Sequence, residues 1–583
     1  MREPVQIVEI DVDYCSLTYG TSPCDAALGT TGVRKCFNMY RHCQSKQNFD
    51  LGVKTLRFAQ PRANMPKSQL YFPCLESASP RSATVNLGGA DSRLDPLGRR
   101  ATATVRLRDF PYHDREMDKY RAGRVDGTAQ TDEGGYKPEE RGTFFRKLKT
   151  RWPYYAGRPL RIIDGYIDGG VLTEAKTRHY VITDMGMDSN GSVTIDGKDV
   201  LDLAGNKKAT CPRQTQGVLV EDITATATSF TMTPEGIGDA EYAASGRVVI
   251  GSEVMAFTRS GDVMTVTRGQ NNTDAAAHSS ADAVQLCFEA SRQRLDDVIY
   301  DLLVNYAGIP SSFIPLSDWE AEVTRWGTSI ELTTVIPKPE GVSDLVGELA
   351  VLGVNIWWDD VAQKVRLKMV RPPDGDDVYT INDDNAIKSA SVIDLDEDRI
   401  TRVAFFSAQI DPTKSVTATD NYKQQWLFVD PESESDLQYN SSKTREIFCR
   451  WLNTGDATTI RIAARRLLQR LKDAPQRFTV VLDAKDNAIA PTDVLRVTSS
   501  VFVDETGAGR MQPMQVLSVK DKRSGHDFEV MAQSYNLDVE IGYCAPNDAP
   551  TYAAASSAER LEYIYCSENT GLLPDGAESY RAV

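Results

Sequence analysis

Apolar and polar positions alternate along much of this chain. In "RRATATVRLRDF" (residues 99–110) every second residue is apolar, the pattern of a half-buried strand. The stretches "RPLRIIDGYIDGG" and "TRHYVITDMGMDSNGSVTIDGKD" predict further strands, with turn signals at Ser189–Gly191 and Asp196–Gly197. From about Gln214 to Cys287 the chain is rich in Thr, Ala and Gly, and its short strands include "GRVVIGSEVMAFTRSGDVMTVTRG". That texture reads as a small β-module inserted into a larger domain. Strands resume in "RFTVVLDA", "TDVLRVTSSVFV" and the pair "MQPMQVLSVKDK" and "HDFEVMAQSY".

Two segments carry a helical period instead. Leu295, Val298, Ile299, Leu302, Leu303 and Tyr306 form one apolar stripe, stopped by Gly308 and Pro310. Ile460, Ala463, Ala464, Leu467, Leu468 and Leu471 form another, ending before Pro475. Both stripes are core faces rather than cofactor-binding motifs. Residues 121–142 read as a Gly- and charge-rich loop, and the chain turns polar and Ala/Ser/Pro-rich from about Tyr543, as an extended tail does. The expected fold class is mainly β with some α, in several domains.

Composition leaves that picture in place: 583 residues, 41% hydrophobic and 25% charged, are ordinary for a globular chain of three to five domains. No secretory signal is expected, because Arg2, Glu3, Glu9, Asp11 and Asp13 occupy the place of an apolar core. Nor is a membrane helix: the most apolar stretch, "LVGELAVLGVNIWW", is short and broken by Glu348. The net charge of −16 argues against a protein that grips nucleic acid, whose affinity comes from neutralising phosphates. The densest basic stretch, "RIAARRLLQRLK", is one face of a helix. An acidic chain still suits a conduit through which DNA slides without sticking.

Four of the ten cysteines, Cys15, Cys24, Cys36 and Cys43, fall within thirty residues. Synthesis in a reducing cytoplasm disfavours disulfides, so the cluster points to a four-thiolate metal site. The spacing, C-x8-C-x11-C-x6-C, has neither the tight knuckle of structural zinc nor the short steps of common ferredoxins, and it leaves the metal open. Tyr14, Tyr19, Phe37, Tyr40 and Phe49 are candidates for an apolar wall, and His42 is a candidate substitute ligand.

Catalytic signatures are missing: there is no G-x-S-x-G, H-E-x-x-H, Walker loop or G-x-G-x-x-G. The five histidines are isolated, and "YHDREMD" around His113, Asp114 and Asp118 reads as a solvated loop more readily than as a cation site.

Four stretches, in order, resemble the tail-tip or baseplate hub proteins of long, noncontractile-tailed bacteriophages of the lambda type. "DYCSLTYGTSPC" with "KCFNMYRHCQSKQNF" is similar to the iron–sulfur segment of such tips. "DPLGRRATATVRLRDF", "DKYRAG" and "GTFFRKLKTRWPYYAGRPLRIIDGYI" resemble the first tube-forming β-barrel. "VTRGQNNTDAAAHSSADAV" looks like a β-module common in tail proteins, and "APTDVLRVTSS" with "MQPMQVLSVKD" resembles the closing barrel.

The resemblance implies a structural virion protein, not an enzyme. Three copies would close the distal end of the tail tube, each giving two tube-like barrels to match sixfold symmetry. It implies a structural [4Fe–4S] cluster on Cys15, Cys24, Cys36 and Cys43, with zinc as second choice. The implied partners are the distal tail protein and tail tube above, and a central fibre or other tip proteins below. The tape measure protein, transiting DNA and the host envelope complete the set. Assembly would take place in the host cytoplasm. The organisation expected is a four-cysteine iron–sulfur segment at 1–76, a first tube-like barrel at 77–208, the inserted module at 209–289, an α/β domain at 290–375, a second tube-like domain at 376–542 and a tail at 543–583. A bore for DNA would be acidic, with Asp164, Asp168, Asp483, Asp486 and Asp493 as candidates. Two other classes stay open: a cell-wall or polysaccharide hydrolase or adhesin of the tail, with the module as its site, and an iron–sulfur enzyme.

Overall fold

The computed structural model describes residues 3–27, 36–61, 63–89, 97–113, 142–327, 330–371, 378–384, 386–483, 488–523, 526–535, 541–542, 550–562 and 581–582. The fold is mainly β with some α, in several sheets. No described helix is long and apolar enough to cross a membrane.

The first sheet has seven strands: β1 (Glu3–Cys15), β2 (Leu51–Ala59), β3 (Leu75–Arg81), β4 (Thr102–Arg108), β5 (Pro159–Asp168), β6 (Val171–Met187) and β7 (Ser192–Lys198). Their order is β2-β1-β5-β6-β7-β4-β3 and every pairing is antiparallel. Alternation places Ala103, Val105 and Leu107 of β4 inside, against Val8, Ile10 and Val12 of β1 and the helix α1 (Phe144–Arg151). The sheet curls into a half-barrel, and Gln6 of β1 bridges toward β3. Its side-chain oxygen accepts the Ala78 N–H at 3.1 Å while its Nε2 donates to Asp164 at 2.9 Å.

One sheet therefore runs across residue 76, where the sequence places a boundary. β1 pairs along its length with β5, a partner more than a hundred residues away, so residues 1–76 contribute two strands to the barrel that follows. Asp196–Gly197 is likewise not a turn but part of β7. Glycine is needed there because a Cβ would come within 2.7 Å of the Leu160 side chain and 3.2 Å of Tyr180.

A second sheet of six strands lies between Val218 and Leu286, in the order Gln285–Leu286, Ser245–Ile250, Glu253–Ser260, Val263–Gln270, Ser229–Thr233, Val218–Leu219. It closes over its own core, with Phe230, Met232, Ile250, Met255, Phe257 and Met264 among its residues. Its two ends meet, since Val284 donates its N–H to the Gly217 carbonyl at 2.9 Å.

The largest core joins both periodic helices. The helix Leu295–Asp301, continued by a π turn Leu302–Tyr306, packs with the helices Leu316–Trp326 and Val342–Ala350. The helix Ala457–Leu471 enters the same core from the other side, over a three-stranded sheet made by Arg402–Gln409, Tyr422–Val429 and Thr444–Cys449. Residues 400–471 thus share a core with 290–375. The expected domain at 376–542 is interrupted, because Ile460, Ala464 and Leu468 find their apolar partners there. The flanking parts, 378–394 and 476–534, form a six-stranded sheet around Phe478, Val480, Leu482 and Val530.

The first sheet, the Val354–Met369 hairpin and the last sheet meet at one junction. Arg178 of β6, 3% exposed, donates to Asp360 at 2.8 Å and to Asp521 at 3.1 Å, and Tyr180 donates to the same Asp360 oxygen at 3.1 Å. Burial works against the Arg178 charge, but the two carboxylates raise its pKa, so it stays protonated.

Candidate metal centre

The cysteine segment is the connection at one end of the β1–β2 hairpin. Pairing ends at Cys15 opposite Leu51, and the described residues 16–27 and 36–50 lie outside the sheet between them. Their regular structure is limited to short turns. One 3-10 turn covers Tyr40–His42 and another Lys46–Asn48, and the Cys43 N–H caps the first on the Tyr40 carbonyl at 3.2 Å. Arg151, at the end of α1, lies 4.0 Å over the Phe37 ring and ties the segment to the barrel.

All four cysteines line one small cavity, partly open to solvent. Leu17, Tyr19, Ala26, Met39 and Phe49 form its apolar wall. Cys15 and Cys36 are buried, whereas Cys24 and Cys43 are half-buried. Two sulfurs accept backbone hydrogen bonds from the residue two places on: Asn38 N–H to Cys36 Sγ at 3.5 Å, and Ser45 N–H to Cys43 Sγ at 3.3 Å. Burial pushes the Cys43 thiol up; the Ser45 N–H opposes this, and negative charge on Cys36, Cys15 and Cys24 raises it further. The four sulfurs are thus near enough to repel one another as thiolates, and a cationic centre would relieve that repulsion.

Around the sulfurs the chain is cross-tied. The Cys15 N–H donates to the Asn38 carbonyl at 2.7 Å, and Asn38 Nδ2 donates to the Cys15 carbonyl at 3.4 Å. Asp25, next to Cys24, has its pKa lowered by hydrogen bonds from Ser45, Asn48 and Gln47, the last at 3.1 Å. It fastens the Cys24 loop to the stretch after Cys43. Asn38 Oδ1 is buried and has no hydrogen-bond partner among the described residues.

Four thiols around one pocket are the donor set that a sulfide-bridged iron cluster takes. Among the described residues no three His, Cys, Asp or Glu side chains are grouped tightly enough to hold one metal ion, yet four cysteines surround one apolar cavity. A cluster spreads its thiolates around a larger core and is stabilised by N–H···S bonds and exclusion of water. His42, the candidate substitute, does not line the cavity; its ring stands edge-on to Phe37 at 5.6 Å.

The other described cysteines are core residues. Burial pushes Cys74, Cys287 and Cys449 up to about 12, and Cys211 higher still, so they stay thiols. Cys544, Cys566, Asp114, Asp118 and Asp486 lie outside the described residues. Of the acids considered for a bore, Asp164 and Asp493 are buried within the chain, Asp483 sits 3.4 Å from Lys388, and Asp168 is exposed. Sequence reasoning missed Asn38 and Ser45, whose backbone N–H groups meet the sulfurs, and Asp25, whose carboxylate ties the loop together.

No protein-family model matches the sequence, and a search of curated proteins gives no match. Solved structures that it overlaps include a tail protein from Neisseria meningitidis MC58, at 10% identity and a TM-score of 0.34, covering 79% of this chain and 99% of that one. The 43 kDa tail protein of prophage MuSo2 from Shewanella oneidensis overlaps at 9% identity and a TM-score of 0.34, covering 80% and 94%. Prophage tail protein gp18 from Listeria monocytogenes EGD-e overlaps at 10% identity and a TM-score of 0.28, covering 66% and 87%. These overlaps are partial, and the functional reading rests on the chain's own residues.

Proposed function

We propose that the chain is a structural protein of a bacteriophage tail: a trimeric hub that closes the distal end of the tail tube and forms the conduit for DNA ejection. Its N-terminal segment holds a structural [4Fe–4S] cluster on Cys15, Cys24, Cys36 and Cys43. The observation that carries the reading is the convergence of those four cysteines on one cavity beside a curled antiparallel sheet. The ordered resemblance of four stretches to hub proteins supports the tail assignment. Tail proteins are also what the overlapped structures are named as, though overlap at those scores adds no weight of its own.

The architecture suits a wall rather than a catalyst. Each chain brings two large sheets, the seven-stranded β1–β7 and the six-stranded sheet of 378–394 and 476–534, which meet through Arg178 and Asp521. Three chains would present six such units around an axis, the number needed to meet a sixfold tube. When bound, the cluster would supply iron–thiolate bonds that cross-link a loop lacking a core of its own, so that metal binding becomes folding free energy. The distal tail protein, tape measure and central fibre remain the partners this role requires.

The mass and symmetry of the assembled particle test the reading. Electron micrographs of purified protein should show threefold rings with a central opening. A monodisperse monomer at every concentration, or a ring of another symmetry, would overturn the hub assignment.

A further inference from the structure

Resting on the cluster reading above, we propose that Asn38 is a positioning residue that holds two of the four ligands and sets the reduction potential of the centre. Asn38 is 4% exposed and lines the cavity together with the cysteines. Its backbone is left-handed, with φ of 58°. Asparagine enters that region more readily than other residues bearing a Cβ, and glycine enters it freely.

The Asn38 N–H, fixed by the peptide it shares with Phe37, donates to the sulfur of Cys36, 3.5 Å away. The left-handed turn at Asn38 then links this bond to Cys15. It turns the Asn38 carbonyl to the N–H of Cys15 at 2.7 Å. It also lets the side-chain amide reach the Cys15 carbonyl at 3.4 Å. Cys15 at the end of β1 and Cys36 across the loop are thereby held in register by a single residue.

The matching bond from Ser45 to Cys43 is made from ordinary backbone, at φ −128°. Of the two donors only Asn38 is left-handed, so a residue that resists this conformation must shift either its carbonyl from Cys15 or its N–H from Cys36. An N–H dipole pointed at a ligand sulfur stabilises the added electron of the reduced cluster, so losing that aim lowers the potential. Substitutions separate backbone from side chain: Asn38→Gly and Asn38→Ala both delete the amide, and only alanine resists the left-handed turn.

The test uses the full chain, reconstituted anaerobically with ferrous iron and sulfide, and reads potential by redox titration and iron loss to a chelator. Asn38→Ala should be about tenfold harder to reduce, about 59 mV for one electron, and should lose iron about tenfold faster. Asn38→Gly should stay within about twofold of the parent on both readings. Equal potentials in all three proteins, each with its cluster loaded, overturn the role of Asn38 and leave the cluster reading intact. A parent protein that takes up no iron and sulfide overturns the cluster reading, and this inference with it.

Discussion

Replacing Arg178 by methionine should loosen the whole molecule at one point. Arg178 is 3% exposed, and its carboxylate partners Asp360 and Asp521 have side chains only 11% and 20% exposed. Removing the guanidinium leaves two desolvated carboxylates facing each other, with Tyr180 bonded to only one of them. Breaking a buried ion pair from one side costs about 3–5 kcal/mol. Lys176 remains nearby; burial and Arg178 lower its pKa, and Asp521 and Asp360 raise it, so it offsets part of the lost attraction. We therefore expect the lower end, about 3 kcal/mol, or more than a hundredfold in the local opening equilibrium. Because a chain with several cores need not unfold in one step, hydrogen exchange is the suitable assay. The amides to follow are His179, bonded to the Asp360 carbonyl at 2.8 Å, and Val85, bonded to the Leu517 carbonyl at 2.9 Å. Their protection should fall together by about two orders of magnitude, while amides inside the Val218–Leu286 module stay unchanged. Adding Asp360→Asn and Asp521→Asn should restore most of the loss, since no charge then lies stranded. Protection reduced by less than about fivefold in the single variant would refute the junction as an energetic lock.

The module carries its own acid sensor. Burial pushes Glu253 up, but hydrogen bonds from Arg268, the Ala276 N–H, His278 and the Gly269 N–H outweigh it and hold the carboxyl at about 2, against 4.5 when unfolded. Since the folded value is the lower one, this stability is present above pH ~4.5 and is lost as pH falls toward 2, on the order of 3 kcal/mol in all. The module's melting temperature should drop across that window, and a Glu253→Gln variant should show a flatter profile; identical profiles would count against it. Replacing residues 218–283 by a short Gly/Ser linker should leave the rest folded, as judged by size exclusion and circular dichroism, because Gly217 and Val284 are already hydrogen-bonded neighbours. Insolubility in every linker length would show that the module is part of the main core. In native protein Cys74, Cys287 and Cys449 should resist alkylation until unfolding, whereas Cys24→Ser or Cys36→Ser should expose residues 16–50 to protease; equal cleavage with and without the substitution would argue against a structural centre.

Local pattern was readable where burial is one-sided. Alternation in 99–110 gave β4, and the stripes through Leu295 and Ile460 gave two helices whose apolar faces are buried. Long-range partners were not readable, because an alternating strand carries no mark of which strand it will meet. β1 meets β5, and the helix Ala457–Leu471 meets a core begun more than a hundred residues earlier. The Asp–Gly pair at 196–197 looked like a turn because glycine serves turns and tight packing equally, and only the nearness of Leu160 separates the two. Cysteine density was sufficient to bring Cys15, Cys24, Cys36 and Cys43 to one cavity on paper. Asn38 was invisible, since a left-handed asparagine is spelled like any other.

The central claim is a cluster on those four cysteines, and metal analysis tests it most directly. Protein purified without oxygen should be brown, with about four irons and four acid-labile sulfides per chain, and both should be lost in Cys36→Ser. Stoichiometric zinc with no labile sulfide, or a colourless protein with four freely alkylated thiols at Cys15, Cys24, Cys36 and Cys43, would contradict it.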